Sequence, residues 1–141
     1  MNVFSVGYQG RSIADFCELL HAKRVELLVD VRAAAWSNRP EYRKRALCDA
    51  LANWGIEYLH AKEAGNPFRP RSGQLFDVST CALKYAQYLR QNPSVIERLC
   101  SLLPNRSVAL MCYEACLSHC HRSLLLEALA QQLPSLSIVE L

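Results

Sequence analysis

Continuous apolar runs alternate along this chain with stretches in which apolar positions recur every three or four residues. "VFSV" (3–6) is a short run ending at Gly7, and it predicts a strand. Ser12 follows as a helix cap, with Asp15 three residues on and Ile13, Phe16, Cys17 and Leu20 at helical spacing. "VELLVDV" (25–31) is almost wholly apolar, the pattern of a strand covered on both faces. A polar loop with Ser37, Asn38 and Pro40 leads to a second helix over about 41–53, with Leu47, Ala50, Leu51 and Trp54 facing inward and Gly55 as its stop. "IEYLH" (56–60) reads as a third strand. Residues 61–76 form the one long irregular segment, with Gly65, Asn66, Pro67, Pro70 and Gly73. Asp77 caps a third helix bearing Val78, Ala82, Tyr85, Ala86 and Leu89, and Asn92-Pro93 opens a fourth. "SVALMC" (107–112) is a fourth strand. Ser118 or a neighbour starts a last helix through Leu124, Leu125, Ala128 and Leu129, Pro134 ends it, and "LSIVEL" (136–141) is a fifth strand.

Strands separated by helices demand crossover connections and a parallel sheet. The expected fold is α/β, a three-layer sandwich with a mostly parallel central sheet of about five strands, as one domain over 1–141. The order of the strands does not follow from the pattern.

Composition narrows the class. Of 141 residues, 51% are apolar and 21% charged, which is enough for a sizeable core in an ordinary water-soluble globule. A formal charge of +3 permits an anionic ligand without demanding nucleic acid, since no basic block exceeds Arg43-Lys44-Arg45. No secretory leader or membrane-spanning run is visible. Seven cysteines form no regular framework, so they are expected as reduced thiols in the cytoplasm.

In open α/β sheets a ligand sits beyond the carboxyl ends of the strands. The first strand is followed there by Gly7, Tyr8, Gln9, Gly10, Arg11 and Ser12. The second ends in Asp30 and Arg32, then Trp36, Ser37 and Asn38. His60, Glu63, Gly65 and Asn66 follow the third. Cys112, Glu114, Cys120, His121 and Arg122 follow the fourth. Each alone suits a turn or an ion pair; as a set on one rim they point to a site.

"MCYEACLSHCHRS" (111–123) admits several chemistries. Cys112, Cys116 and Cys120 with His119 and His121 have the ligand types for zinc, but lack the two close pairs of common structural sites; no metal or other cofactor is expected. Cys116 and Arg122 have the C-x5-R spacing of phosphatase and sulfurtransferase loops, yet no glycine lies between them and bulky Leu117 follows the cysteine. In a third reading Cys120, His121 and Arg122 sit at the start of the last helix, where free amides favour an anion and lower a thiol's pKa. Glu114 is then a base or orients Arg122. The plain alternative is that Cys112 and Cys120 are small buried hydrophobes.

The chain resembles the bacterial and archaeal domain-of-unknown-function 488 family. The resemblance rests on "SVGYQGRS" (5–12), "LLVDVR" (27–32) with "WSNRP" (36–40), "WGIEYLH" (54–60) with Gly65, and "VALMCYEACLSHCHRSLL" (108–125). It implies an α/β fold and puts Gly7, Asp30, Arg32, Ser37, Cys112, Glu114, Cys120, His121 and Arg122 at motif positions. Cys116 and His119 fall between them. Alanines at 33–35 replace the proline that commonly precedes the W-S, and no activity travels with the family name.

The leading expectation is a small cytoplasmic enzyme for a phosphate- or carboxylate-bearing substrate, a nucleotide or nucleic-acid end included. Arg32 and Arg122 hold the anion, Asp30 or Glu114 moves protons, Cys112 or Cys120 is the nucleophile with His121 beside it, and Gly7, Tyr8, Arg11 and Ser37 line the pocket. The alternatives are a noncatalytic nucleotide or nucleic-acid binding module, with Arg69 and Arg71 reaching the ligand, and a structural domain that serves in oligomerisation. Substrate, reaction and oligomeric state stay open.

Overall fold

The five apolar runs pair as one all-parallel sheet. We label β1 Asn2–Gly7, β2 Leu27–Asp30, β3 Glu57–His60, β4 Val108–Cys112 and β5 Ser137–Glu140, and their order is β3-β2-β4-β1-β5. The computed structural model describes residues 1–68, 78–117 and 120–141. The expected cap Asp77, the loop residues Arg69, Pro70, Arg71 and Gly73, and Ser118 and His119 lie outside the described residues.

β2 and β4 are buried along their whole length, which is why neither sequence alternates between apolar and polar. β5 is an edge strand and leaves Ser137 and Glu140 exposed.

The helices are α1 Ile13–Ala22, α2 Lys44–Ala52, α3 Val78–Gln91, α4 Pro93–Leu102 and α5 Arg122–Gln132. Ser12 caps α1 as expected, its Oγ accepting from the Asp15 amide at 3.1 Å. α2 begins later than the pattern suggests. Pro40–Tyr42 make a 3₁₀ turn and Arg43 is extended, which lets Tyr42 turn inward, stack on Tyr8 at 4.2 Å and donate to the Arg11 carbonyl at 2.9 Å. Gly55 does stop α2, at φ +72°, with the Ile56 amide reaching back to Leu51 O. Trp54, expected inside, falls beyond the helix end; it is 38% exposed and lies beside His21.

Helices cover both faces. α1 and α2 pack Phe16, Leu20, Leu47 and Leu51 on Val6, Leu28, Ala109 and Met111. α3, α4 and α5 pack Leu89, Leu99, Leu125 and Leu129 on Val29, Leu110 and Cys112. β2 leads into α2 on the first face, while its neighbour β4 leads into α5 on the second. In open α/β sheets, ligands bind beyond strand ends whose chains part to opposite sides in this way; a cavity among the described residues lies instead between α3, α4 and α5, lined by Leu89, Ile96 and Leu124. No helix among the described residues is long and apolar enough to cross a membrane.

Candidate functional site

The loops after β1 and β4 are joined edge to edge. Tyr8 N donates to Cys112 O at 3.2 Å and Gln9 N to Tyr113 O at 2.9 Å, and Gln9 Oε1 accepts from Ala115 N at 3.1 Å. Gly7 permits this approach. A Cβ there would lie 1.8 Å from the Glu114 carbonyl oxygen. Gly65 does the same after β3, where a Cβ would lie 2.3 Å from the backbone of Ala33. The tight fit between these two loops accounts for a small residue at Ala33.

This folding gathers the sulfur cluster. Cys112 ends β4 with its side chain toward α5, and its Sγ lies 2.8 Å from Cys120 Sγ. Glu114 Oε2 also lies 2.8 Å from Cys112 Sγ, so the one Cys112 proton is shared between this carboxylate and the Cys120 sulfur. Cys120 stands just before α5 and receives the Arg122 Nε–H at 3.2 Å and the Arg122 amide at 3.4 Å. The rest of that buried guanidinium is held by Ser5 Oγ at 2.9 Å and Glu114 O at 2.5 Å. His121 Nε2 lies 2.9 Å from Val31 O. A carbonyl only accepts, so this nitrogen carries the proton, and Nδ1 faces Cys120 Sγ at 3.8 Å. The Tyr85 ring meets the imidazole edge-on at 5.2 Å.

The two thiols titrate apart. The hydrogen bond from Cys112 holds the Cys120 thiol well below its ordinary value, against the effect of burial and with help from His121 and Arg122. Cys112 moves up, because it is the donor in that hydrogen bond and is buried beside Glu114. Cys120 is thus the more acidic of the two thiols.

A second cluster lies across the strand ends, on the α1 and α2 face. Asp30 takes Arg32 in a fork, Nε at 2.9 Å and Nη2 at 2.7 Å, and also accepts Arg32 N at 3.1 Å and the Tyr58 hydroxyl at 2.5 Å. Burial and the adjacent Asp30 push the Tyr58 hydroxyl up, out of reach of ionisation at neutral pH. Arg32 Nη1 touches Trp36 O at 3.5 Å, and its guanidinium lies 5.5 Å from the Tyr8 ring centroid. The clusters meet at the end of β2, where His121 holds Val31 O and His60 holds Arg32 O at 2.8 Å.

The family model described as a domain of unknown function, DUF488, matches residues 12–129. The chain belongs to the DUF488 family. No curated protein and no solved structure matches it.

In this DUF488 chain the match begins at the Ser12 cap and takes in both clusters except Ser5 and Tyr8. Of the expected motif positions, Cys112, Glu114, Cys120, His121 and Arg122 come together around the two sulfurs, and Asp30 and Arg32 form the neighbouring pair. Three expected pocket residues are closed off. Gly7 is covered by the Glu114 backbone, Tyr8 is 2% exposed between Tyr42 and Tyr113, and Ser37 Oγ is turned onto Arg39 N. Arg32 and Arg122, expected to grip an anion, spend their donors on Asp30, Cys120, Ser5 and Glu114 instead. Arg11 is half-buried and gives only its Nε, to Gly7 O at 3.2 Å, among the described residues. Its terminal amino groups are cationic donors left over at the rim.

Arg122 turns its Nε to Cys120, two residues before it, and Cys116 lies exposed. For a metal, Cys112, Cys120 and His121 have ligand atoms within 4.8 Å of one another. Yet a tetrahedral zinc with 2.3 Å bonds would hold two sulfurs roughly 3.8 Å apart, and 2.8 Å leaves no room between them. Ser5, Tyr58 and Tyr85 are site residues missed by the sequence reading. Ser5 carried a signal, a lone hydroxyl inside an apolar strand; the two tyrosines carried none.

Proposed function

We propose that this protein is an enzyme that uses Cys120 as a thiolate nucleophile on a small phosphate- or carboxylate-bearing substrate, at the carboxyl ends of β2 and β4. One observation carries this reading: a single sulfur at a helix start is faced by a guanidinium N–H, a backbone amide and a second thiol. Such donors stabilise the anionic sulfur, the form that attacks. His121 stands where it would accept a proton, since Nδ1 faces the sulfur and carries the lone pair while Nε2–H is fixed on Val31 O. Arg11 supplies charge for the anion, while the Asp30–Arg32 fork steadies the loop through Trp36 O.

The test is the pH profile of alkylation, read cysteine by cysteine after digestion. The groups facing Cys120 are Cys112, His121 and Arg122, with Glu114 and Tyr85 behind them. An ordinary thiol gains about tenfold in rate per pH unit below about 8.5. Cys120 should react with iodoacetamide at a rate nearly constant from pH 6 to 9. A tenfold climb per unit at Cys120 would end the proposal. Inorganic phosphate should shield Cys120 from the reagent, and Arg11→Ala should raise the phosphate needed about tenfold, the value of one charge-assisted hydrogen bond.

A further inference from the structure

We propose that Cys112 and Cys120 form a reversible disulfide when the protein meets a small hydroperoxide, so that the chain carries a two-cysteine redox site. The inference rests on the reading of Cys120 as nucleophile, and goes beyond it by giving Cys112 and Glu114 their own work.

The geometry separates the parts. Disulfide sulfurs stand about 2.05 Å apart, so a pair at 2.8 Å needs to close by only about 0.8 Å. Cys120 has the donors that make a thiolate. Cys112 has the opposite surroundings, full burial and a carboxylate oxygen of Glu114 at 2.8 Å to take its proton. An attacking sulfur, a resolving sulfur and a base thus stand in contact. Cys120 is 5% exposed, an opening that favours a hydroperoxide over a bulky oxidant. Three of the other described cysteines, Cys17, Cys48 and Cys100, stand in different surroundings. Cys17 and Cys100 are raised by burial, and Cys48 lies exposed on α2.

The chemistry balances without a further partner. The Cys120 thiolate attacks one peroxide oxygen; the S–O bond forms, the O–O bond breaks and hydroxide leaves. Cys112 gives its proton to Glu114 and its sulfur attacks the Cys120 sulfenic acid. The S–S bond forms, the S–O bond breaks, and the departing hydroxide leaves as water with that proton. Two thiols lose two electrons and the peroxide gains them. Oxidation removes the charge from the Cys120 sulfur while the Arg122 Nε–H still points at it. That loss of a charged partner favours the reduced form, and makes the bond readily reduced by a dithiol.

The experiment treats the whole reduced protein with one equivalent of hydrogen peroxide, then maps its peptides by mass. The expected product is a Cys112–Cys120 cross-link, about 2 Da lighter than the dithiol, reversed by dithiothreitol. Cys112→Ser should stop the reaction at a Cys120 sulfenic acid that dimedone traps. A link from Cys120 to Cys116, or direct passage to sulfinic acid in the unsubstituted protein, overturns the inference. So does one equivalent of zinc held by the two thiols in the freshly purified protein. The alkylation profile separates the two failures: a flat profile without the cross-link sinks the redox site alone, and a tenfold climb at Cys120 sinks the nucleophile with it.

Discussion

Arg122 shows how one side chain can hold a site together without meeting a ligand. It is buried, and its three guanidinium nitrogens reach a sulfur, a hydroxyl and a carbonyl from three segments of chain. Ser5→Ala would leave Nη1 without its acceptor, at a cost of about 1–3 kcal/mol, visible as a lower midpoint in urea unfolding. Its companion Arg32 neutralises a fully buried Asp30. Arg32→Ala strands that carboxylate and should cost about 3–5 kcal/mol, far more than loss of a surface arginine. An Arg32→Ala protein that unfolds at the same urea concentration as the parent would contradict this account. Gly7→Ala drives a methyl into the Glu114 backbone, and overpacking of this kind costs at least about 1–3 kcal/mol. The individual roles were only partly legible. The chain announces Asp30, Arg32, Glu114 and Arg122 as charges among apolar runs, but charge alone does not say whether a donor faces water or a neighbour. Burial decides that, and burial belongs to the folded state.

At the level of helices and strands the apolar pattern carried more. All five strands and all five helices fall where periodicity puts them, because burial on one face or two is what spaces apolar residues. The misplaced ends have local causes. Tyr42 leaves the helical path to stack on Tyr8, so α2 starts at Lys44, and α5 starts at Arg122 once the chain has carried Cys120 across to Cys112. Neither contact leaves a periodic trace. Ser12→Ala removes the one amide acceptor at the start of α1 and should cost about 1 kcal/mol, measured by the same unfolding series.

Across the whole molecule the order of the strands was not legible, because "VFSV", "LLVD" and "VALMC" are nearly interchangeable apolar strings and none names its neighbour. The order sets the local stability. β4 and β2 are covered above, below and on both edges, whereas β3 and β5 each have an open edge. Amide hydrogen exchange should therefore be slowest in β4 and β2 and fastest in β5 and β3; a β5 as slow as β4 would argue against this sheet.

The placing of β4 between β1 and β2 also bears on how the protein is made. A ribosome delivers both outer partners long before the strand that must separate them. Until residue 112 clears the exit tunnel, β1 and β2 share no hydrogen-bonded neighbour, the Cys112 thiol is absent, and the nascent chain carries two bare apolar edges. Insertion of the central strand and assembly of the sulfur pair thus wait on the same stretch of chain.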